Sequence, residues 1–335
     1  MNYAAAVGQT WKHHDVEAAA RDRTILVRYA TLAASSHNTQ PWKFRLDPQG
    51  IAILPDFSRR CPAVDPDDHH LYASLGCAAG NLLEAARAAG LQGHCRYDLS
   101  TSGVTVDLGK STPARSALFE AIPRRQCSRC AFDGAAIPAA QLRLLEEAGR
   151  GDGVSLLFLA GRPQKEQVAE YVAAGNRAQF ADPAWNAELR SWVRFNARSA
   201  MRTGDGLYGP VMGSPDVPQW LGRLFMQVGF SSRRQNRKDV AHIRSSSIIV
   251  ALCSERDDRP HWVEAGRCYQ RLALQATALG LCSAFINQPV EVPALRQQFA
   301  GFLGIGTKRP DLLVRIGRGP AMPRSLRRPV ACVLA

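Results

Sequence analysis

Two stretches of the chain repeat one another at an offset of 190 residues. GCAAGNLLEAARAAGL covers residues 76–91, and GRCYQRLALQATALGL covers residues 266–281. Aligned without gaps, they share the pairs Gly76/Gly266, Leu82/Leu272, Ala86/Ala276, Ala88/Ala278, Gly90/Gly280 and Leu91/Leu281. The repeat predicts a duplicated fold, in which two related halves pack as a dimer fused into one chain. The alternative is that any two Ala- and Leu-rich helices ending in Gly-Leu resemble each other to some extent.

Helical and strand-like patterns alternate along the rest of the chain and predict an α+β fold. Helical spacing of apolar residues predicts helices over 16–35, 69–90, 113–122, 138–149, 163–179, 261–280 and 292–303. Short apolar runs predict a hairpin over 42–56, two strands within 94–108, and further strands at 154–161, 246–255, 283–289 and 311–317. The proposed halves are then residues 1–112 and 113–335.

Residues 180–240 differ in composition and periodicity from the rest of the proposed second half. They hold three tryptophans and many glycines and prolines, with little clean periodicity. Such a long irregular insertion is typically functional, and a lid is the simplest interpretation. If 184–202 is helical, the arginines at 190, 194, 198 and 202 form one basic stripe, expected to be a solvated face or, alternatively, a contact to a donor phosphate.

Charge and cysteine content narrow the class of protein. With 42 Lys and Arg against 29 Asp and Glu, the net charge of +13 indicates an anionic partner without naming it. No run of five basic residues occurs, so we expect no nucleic acid partner. No apolar segment is long enough to span a membrane and no signal peptide is visible at the start, so we expect no membrane partner. Nine scattered cysteines indicate reduced thiols in a cytoplasmic protein.

Three candidate metal or redox motifs are weak. Cys127-Ser-Arg-Cys130 lacks a second ligand pair at zinc spacing, and its surroundings do not indicate a thioredoxin-like dithiol. His13-His14 and His69-His70 are adjacent pairs. Neighbours on a helix point apart, so solvated or capping roles are expected for them and no metal site is predicted.

The string from Ser35 to Trp42, SSHNTQPW, is the most specific in the chain. It places hydroxyl, imidazole and amide groups directly before the predicted hairpin, where they can hydrogen-bond a polar heterocycle. Further along, Arg125-x-Cys127-x-Arg129 places two guanidinium groups around a small donor, which suits a dianion such as phosphate. The alternatives are an ordinary turn for the first motif and a solvated basic turn for the second.

These motifs resemble those of the flavin-dependent nitroreductase family, most closely its Acg-like branch, where two nitroreductase-like halves share one chain. The family string is Pro-Ser-x-x-Asn-x-Gln-Pro-Trp, and Ala34 replaces its Pro here. Its phosphate motif is Arg-x-Ser-x-Arg, so Cys127 replaces a hydroxyl. The segment 280–289 resembles the one that passes flavin N5, with Asn287-Gln288 where the family often has Glu-Gly, and a basic pair closes the phosphate site at the end of the chain.

The resemblance implies a nitroreductase-like fold with two halves about a pseudo-two-fold and one complete FMN site per chain. The second, symmetry-related site is expected not to bind FMN. By the resemblance, the cofactor-binding residues are Ser35, Ser36, His37, Asn38, Gln40, Arg125, Cys127, Arg129, Asn287, Gln288, Arg327 and Arg328. No side chain needs to act as a general base.

The implied function is an oxidoreductase that transfers hydride from NADH or NADPH through FMN to a small electron-poor acceptor, such as a nitroaromatic or a quinone. Because the dimer is already fused, a monomer is expected. Two alternatives stay open. One is an FMN storage or sequestering protein whose insertion closes over the flavin. The other is a polyanion-binding protein without flavin.

Overall fold

The computed structural model describes residues 2–335 and contains two four-stranded antiparallel sheets. The strands of the first sheet are β1 (Trp42–Asp47), β2 (Gly50–Pro55), β3 (Leu91–Asp98) and β4 (Gly103–Lys110), in the order β1-β2-β4-β3. The second sheet contains β5 (Val154–Leu159), β8 (Ile248–Ser254), β9 (Cys282–Phe285) and β10 (Arg309–Gly317), in the order β5-β8-β10-β9. The short strands β6 (Val193–Arg194) and β7 (Leu207–Tyr208) pair in parallel outside both sheets.

Thirteen α-helices surround the sheets within residues 2–335. They are α1 (Tyr3–Thr10), α2 (Thr24–Thr31), α3 (His69–Ala88), α4 (Ala117–Ala121), α5 (Ala139–Gly149), α6 (Arg162–Ala181), α7 (Pro183–Trp192), α8 (Ala197–Thr203), α9 (Gln219–Val228), α10 (Ser232–Arg244), α11 (Arg259–Ala278), α12 (Gln288–Glu291) and α13 (Pro293–Leu303). The predicted α+β class is confirmed. The helix predicted over 16–35 begins later, at Thr24, after a 3-10 turn over Glu17–Ala20.

Apolar alternation explains why the first hairpin forms. Trp42 and Phe44 alternate with half-exposed or exposed residues in β1, and both are fully buried. The turn at 48–49 closes the pair at Asp47 and Gly50. In the second sheet, β8 (IIVALCS) is buried along its whole length because the side chains of its two faces pack into two different core clusters.

The two repeated helices, α3 and α11, pack against each other at their first glycines. A Cβ added to Gly76 would lie 1.9 Å from the carbonyl oxygen of Val263, and one added to Gly266 would lie 1.9 Å from that of Ala73. Both backbones therefore approach to a distance that only glycine permits. Farther along, Gln270 Nε2 donates to Asn81 Oδ1 across the same helix pair, at 2.6 Å. The aligned glycines of the repeat thus mark where the helices cross.

The insertion lies between β5 and β8, and it is far more regular than its sequence suggests. Four helices, α7 to α10, fall within 180–244. Their starts carry ordinary signals: Asp182 caps α7 with Pro183 at its first position, and Ser231 caps α10. The expected arginine stripe is wrong, because β6 interrupts the helix at 193–194 and Arg194 turns to bind Asp205.

The insertion packs on the loop before α3 through a small apolar cluster. Trp185, Leu189 and Leu207 contact Cys61 and Val64, which lie in the loop before α3. By contrast, Trp220 on α9 is 69% exposed. Among the helices of residues 2–335, none is both long and apolar enough to cross a bilayer.

Candidate functional site

Four arginines line one cavity at the junction of the chain's first and last segments. They are Arg125 and Arg129, which follow α4, and Arg324 and Arg327, which follow β10. Within residues 2–335, none of the four has a carboxylate oxygen within 4.0 Å. Burial lowers the pKa of Arg327, and the neighbouring Arg125 lowers that pKa further. Positive charges that repel one another and lack counter-ions are typical of an anion-binding site.

Two of these arginines are held by the carboxyl end of α2. Arg327 Nε donates to the carbonyl of Thr31 at 2.9 Å, and its Nη2 donates to that of Ala33 at 3.1 Å. Arg125 Nη2 donates to the carbonyl of Leu32 at 3.0 Å, while its buried Nε has no partner. The last carbonyls of a helix lack partners inside the helix and carry its negative dipole end. They therefore fix both guanidinium groups while leaving some of their donors for a ligand.

An aromatic ring supports the same cluster from the amino-terminal side. The guanidinium groups of Arg327 and Arg324 lie 4.8 Å and 5.1 Å from the ring centroid of Trp11. Trp11 Nε1 donates to the carbonyl of Ser325 at 2.8 Å. Arg324 is anchored by the carbonyls of Pro123 and Arg124. Cation–π contact and these hydrogen bonds hold the terminal segment against the arginine motif.

The motif containing Cys127 is aligned by the edge of the second sheet. Cys127 forms a parallel bridge with Ser283 in β9, and Ser128 N donates to the carbonyl of Ser283 at 2.9 Å. Arg125 and Arg129 therefore flank a short extended segment. β9 leads directly to Asn287, whose Oδ1 accepts from Leu313 N at 2.8 Å.

The loop that follows α2 has an unusual backbone. His37, Asn38 and Gln40 have φ values of 47°, 54° and 54°, in the left-handed region that non-glycine residues rarely adopt. Asn38 Nδ2 holds it by donating to the carbonyls of Gly206 and Leu326, at 3.1 Å and 3.2 Å. Asn38 Oδ1 is buried without a partner. The loop is thus clamped between the insertion and the terminal segment, with an acceptor left over.

A second cavity of about 130 Å³ adjoins the first, and the two share Ala34, Ser35, Arg129 and Phe285. Its polar lining includes His37, His70, Asn287 and Glu291. Burial lowers the pKa of His37 to about 4, so this imidazole is neutral near pH 7. Burial alone would raise the pKa of Glu291, but its contact with His70 lowers it, and the Nε2–Oε1 distance is 3.4 Å.

Nine of the twelve residues expected to bind a cofactor line one or both cavities. They are Ser35, Ser36, His37, Asn38, Arg125, Cys127, Arg129, Asn287 and Arg327.

The side chains of the other three, Gln40, Gln288 and Arg328, have partners elsewhere. Gln40 Nε2 donates to the carbonyl of Gly204 at 2.9 Å, and its Oε1 accepts from Arg328 N at 2.8 Å. Gln288 Nε2 donates to Asn176 Oδ1 at 3.3 Å. Gln40 and Arg328 therefore connect the loop with the insertion and the terminal segment, Gln288 binds α6, and none of the three lines the two cavities.

Sequence reasoning did not assign several charged and aromatic residues that line the cavities. Arg324 was recoverable, because it lies three residues before Arg327 in the same basic string. Phe285 lies within the segment 280–289 and His70 within the His69-His70 pair, but neither was assigned to the site. Trp11 and Glu291 occur in no motif, and chain topology alone brings them to the cavities.

The prediction that His69 and His70 have solvated or capping roles is wrong. They are 2% and 6% exposed, and their Nδ1 atoms lie 2.7 Å apart. Although adjacent on α3, they lie at its first turn, where both rings fold back against the preceding loop and the second sheet. His69 Nε2 contacts Asp311 Oδ1 of β10 at 3.0 Å.

Comparison with known proteins identifies the family. "Putative NAD(P)H nitroreductase Rv3131" of Mycobacterium tuberculosis is 30% identical to this chain over 320 residues, covering 89% of this chain and 85% of the relative. The chain belongs to the NAD(P)H nitroreductase family. A second nitroreductase relative from the same organism, acg, is 23% identical over 320 residues, covering 91% of this chain and 92% of its own. This agrees with the Acg-like resemblance of the motifs.

Solved nitroreductase structures are more distant. The FMN-dependent nitroreductase NfnB from Mycobacterium smegmatis, in complex with NADPH, is 13% identical with a TM-score of 0.40, covering 62% of this chain and 94% of its own. A nitroreductase with bound FMN from Bacteroides fragilis is 16% identical with a TM-score of 0.40, covering 64% of this chain and 95% of its own. No protein-family model matches the chain.

Proposed function

We propose that this nitroreductase relative binds one FMN without a covalent bond and acts as an oxidoreductase using NADH or NADPH. The observation that carries the proposal is the set of four arginines without carboxylate partners, next to a polar loop, in a chain with nitroreductase relatives. A flavin mononucleotide has a dianionic phosphate at one end and a polar heterocycle at the other. The two adjoining cavities offer the matching chemistry in the same order.

The buried polar atoms that lack partners support this fit. Arg125 Nε and Asn38 Oδ1, one donor and one acceptor, are both buried without a hydrogen bond at the first cavity. Leaving such groups unpaired costs about 1–3 kcal/mol each, and a ligand that pairs them recovers that cost. Because a flavin nucleotide is larger than either cavity, we expect Arg129 or Phe285, which line both, to shift when it binds.

We assign roles by chemistry and position. Arg125, Arg129 and Arg327 would hold the phosphate, with Arg324 as a fourth cation and Cys127 as a weak donor. Ser35, Ser36, His37 and Asn38 would contact the polar groups of the ring system and its side chain. The backbone at Asn287 and Gln288 would lie along the ring. When bound, FMN would supply hydride transfer through N5 from NADH or NADPH to an electron-poor acceptor such as a nitroaromatic or a quinone.

We also propose that residues 1–112 and 113–335 are two related halves about a pseudo-two-fold. The strand orders β1-β2-β4-β3 and β5-β8-β10-β9 support this, since α3 follows the second strand of the first series and α11 the second strand of the other. The fusion makes a monomer sufficient. All nine cysteines, which lie within residues 2–335, are free, and this supports a reducing, cytoplasmic compartment.

One observation favours a second function. The insertion contacts the cofactor loop directly, through Asn38 to Gly206 and Gln40 to Gly204. A closed insertion would keep NADH or NADPH away from the flavin. The protein would then store or sequester FMN with little reductase activity.

An absorption spectrum from 300 to 550 nm, before and after anaerobic addition of NADPH or NADH, tests the proposal. Flavin bands that bleach are the expected result. Bands that persist with both donors support sequestration instead. Absence of flavin bands, including after reconstitution with FMN, overturns the cofactor assignment and leaves binding of another polyanion as the function of the arginines.

A further inference from the structure

A second cluster of chemically capable side chains lies at the first turn of α3, where it meets the second sheet. Asp65, His69 and His70 each offer a ligand atom, and these atoms all lie within 4.8 Å of one another. All three residues are buried, with exposures of 4%, 2% and 6%. Neither the family resemblance nor the proposed FMN chemistry uses Asp65 or His69.

The two imidazoles face each other through their Nδ1 atoms, and their Nε2 atoms face other polar groups. His69 Nε2 contacts Asp311 Oδ1 at 3.0 Å, and His70 Nε2 contacts Glu291 Oε1 at 3.4 Å. A neutral imidazole carries one N–H. A carboxylate oxygen lies near each Nε2, and Asn287 Nδ2 also lies 3.5 Å from that of His70. With the N–H on Nε2 in both rings, the two Nδ1 lone pairs face each other at 2.7 Å. Two lone pairs at that distance repel unless a cation or a proton lies between them.

This arrangement is the one that protein metal sites use. An imidazole that binds a metal through one nitrogen nearly always donates its other N–H to a carboxylate or carbonyl, which fixes the tautomer and raises the basicity of the ligand. Here Asp311 and Glu291 occupy that outer position for His69 and His70, respectively. Asp311 is itself held by the hydroxyl of Ser254, and Glu291 by Gln179 Nε2 at 2.6 Å.

Asp65 supplies the anionic ligand. Within residues 2–335, no side-chain nitrogen of Lys, Arg or His lies within 4.0 Å of its carboxylate oxygens. Its oxygens accept only from the backbone N–H groups of His70 and Leu71, at 2.9 Å and 3.0 Å. A carboxylate has about four lone-pair positions, so each oxygen can still bind a cation. A buried carboxylate with no cationic partner is costly, and a bound cation removes that cost.

We propose that Asp65, His69 and His70 bind one divalent transition-metal ion, with zinc as the best fit. Two imidazoles and one carboxylate match the ligand preference of Zn²⁺ and leave a fourth position for water. Zinc–nitrogen bonds of about 2.0–2.1 Å would separate the two Nδ1 atoms to about 3.3 Å, a small movement of the rings. His70 lines the 130 Å³ cavity, which gives the ion an entry path.

The ion would fasten three parts of the fold. Asp65 belongs to the loop before α3, the histidines to α3 itself, and their outer partners Asp311 and Glu291 to β10 and α12. The proposal goes beyond the FMN assignment and does not depend on it.

The test measures metal rather than activity. The full-length chain is purified without chelator, and its zinc content is determined by inductively coupled plasma mass spectrometry. About one zinc per chain is expected. After chelation, titration with Co²⁺ should give one equivalent of visible d–d bands, at wavelengths longer than the flavin absorption, and Zn²⁺ should displace them.

Two variants locate the site. Asp65→Asn keeps one acceptor oxygen for the two backbone N–H groups, and His69→Gln keeps a polar side chain. Each should weaken Zn²⁺ binding at least about 10-fold. His94→Gln, at an exposed position of β3, is the matched control and should leave zinc binding unchanged. Circular dichroism checks that each variant is folded.

Three results would overturn the proposal: no zinc in the purified protein and no stoichiometric uptake after chelation, Co²⁺ spectra without bound-metal bands, or equal affinity in folded Asp65→Asn. The histidines would then share a proton. Because the wild-type zinc measurement needs no flavin, failure here is distinguishable from failure of the FMN proposal, which the flavin spectrum reports separately.

Discussion

The two proposed halves, residues 1–112 and 113–335, each contain one four-stranded sheet, and the two sheets have the same strand order but differ at one hairpin. In the first half, β1 and β2 are joined by the turn at 48–49. In the second, β5 and β8 pair just as β1 and β2 do, yet residues 160–247 lie between them. Loop closure becomes only slowly more costly with length, so strand pairing tolerates the insertion. The connection between the first two strands of each sheet is therefore a position at which this fold tolerates a long insertion.

The halves also differ in charge around the site. The loop 35–40 comes from the first half, while Arg125, Arg129, Arg324 and Arg327 all follow residue 112. A fully symmetric molecule would have a second arginine cluster beside the equivalent loop of the second half. The asymmetry is what restricts the proposed cofactor to one site per chain.

The largest expected effect comes from the contact that the halves share. Gly76→Ala and Gly266→Ala should each destabilise the protein by about 3 kcal/mol, because each new Cβ would meet a backbone carbonyl that cannot move independently. Equal losses in urea unfolding would strengthen the two-fold comparison. Gly301→Ala on α13, where a Cβ meets nothing within 4 Å, is the control and should be neutral or slightly stabilising. A loss in only one of the pair would break the comparison.

The arginines of the second half should dominate cofactor retention. Arg125→Ala and Arg327→Ala each remove charge-assisted hydrogen bonds worth about 1.5–3 kcal/mol, so FMN should bind about 10–100-fold more weakly. Equilibrium dialysis with FMN measures this directly. Arg96→Ala, on an exposed strand of the first half, controls for loss of net charge. Unchanged affinity in Arg125→Ala and Arg327→Ala would remove the phosphate assignment.

Gln40 tests the connection between the first half and the insertion. Gln40→Ala leaves the carbonyl of Gly204 and the N–H of Arg328 without their partner, at a fully buried position. We expect a loss of about 2 kcal/mol in stability and faster limited proteolysis within 200–240. Gln49→Ala in the exposed β1–β2 turn should change neither. If proteolysis of Gln40→Ala stays at the wild-type rate, the insertion is held by other contacts.

The smallest expected effect is on the pH dependence of stability, and it comes from a histidine of α10. Burial lowers the pKa of His242 on α10 to about 4, and the nearby Arg315 and Lys238 act in the same direction. The unfolded chain then binds more protons than the folded one between about pH 4 and 6.5, so this part of the stability is complete above pH 6.5 and is lost on acidification. His242→Gln should flatten the fall in Tm between pH 7 and pH 5. The exposed His94→Gln should follow the wild type, and a His242→Gln curve identical to wild type would rule out this contribution.

The sequence could predict those parts of the fold that leave a local pattern in it, such as periodicity or a fixed spacing. The hairpin predicted over 42–56 and the helices predicted over 69–90 and 261–280 carry clear periodicity, and they are confirmed as β1–β2, α3 and α11. The first glycines of the repeat lie where α3 and α11 approach each other. The terminal arginine pair was recognisable as a motif, but the sequence did not show that the two arginines have different roles. Arg327 lines the cavity, whereas the Arg328 backbone binds Gln40.

Contacts between residues far apart in the chain leave no local pattern in the sequence. Trp11 reaches Ser325 across the whole chain, and the partners of His69 and His70 lie on β10 and α12. Helical spacing alone predicted that the adjacent histidines point apart. Their burial at the first turn of α3, between carboxylates from elements more than 200 residues away, depends on tertiary packing that a local pattern does not contain.

The number of FMN molecules bound per chain tests the central claim most directly. Reconstitution with excess FMN, removal of free flavin by gel filtration, and absorbance measurement against protein determined by amino-acid analysis give that number. The account predicts one FMN per chain, lost in the Arg125→Ala and Arg327→Ala double variant. Two per chain would contradict the asymmetry between the halves, and none would contradict the cofactor site itself.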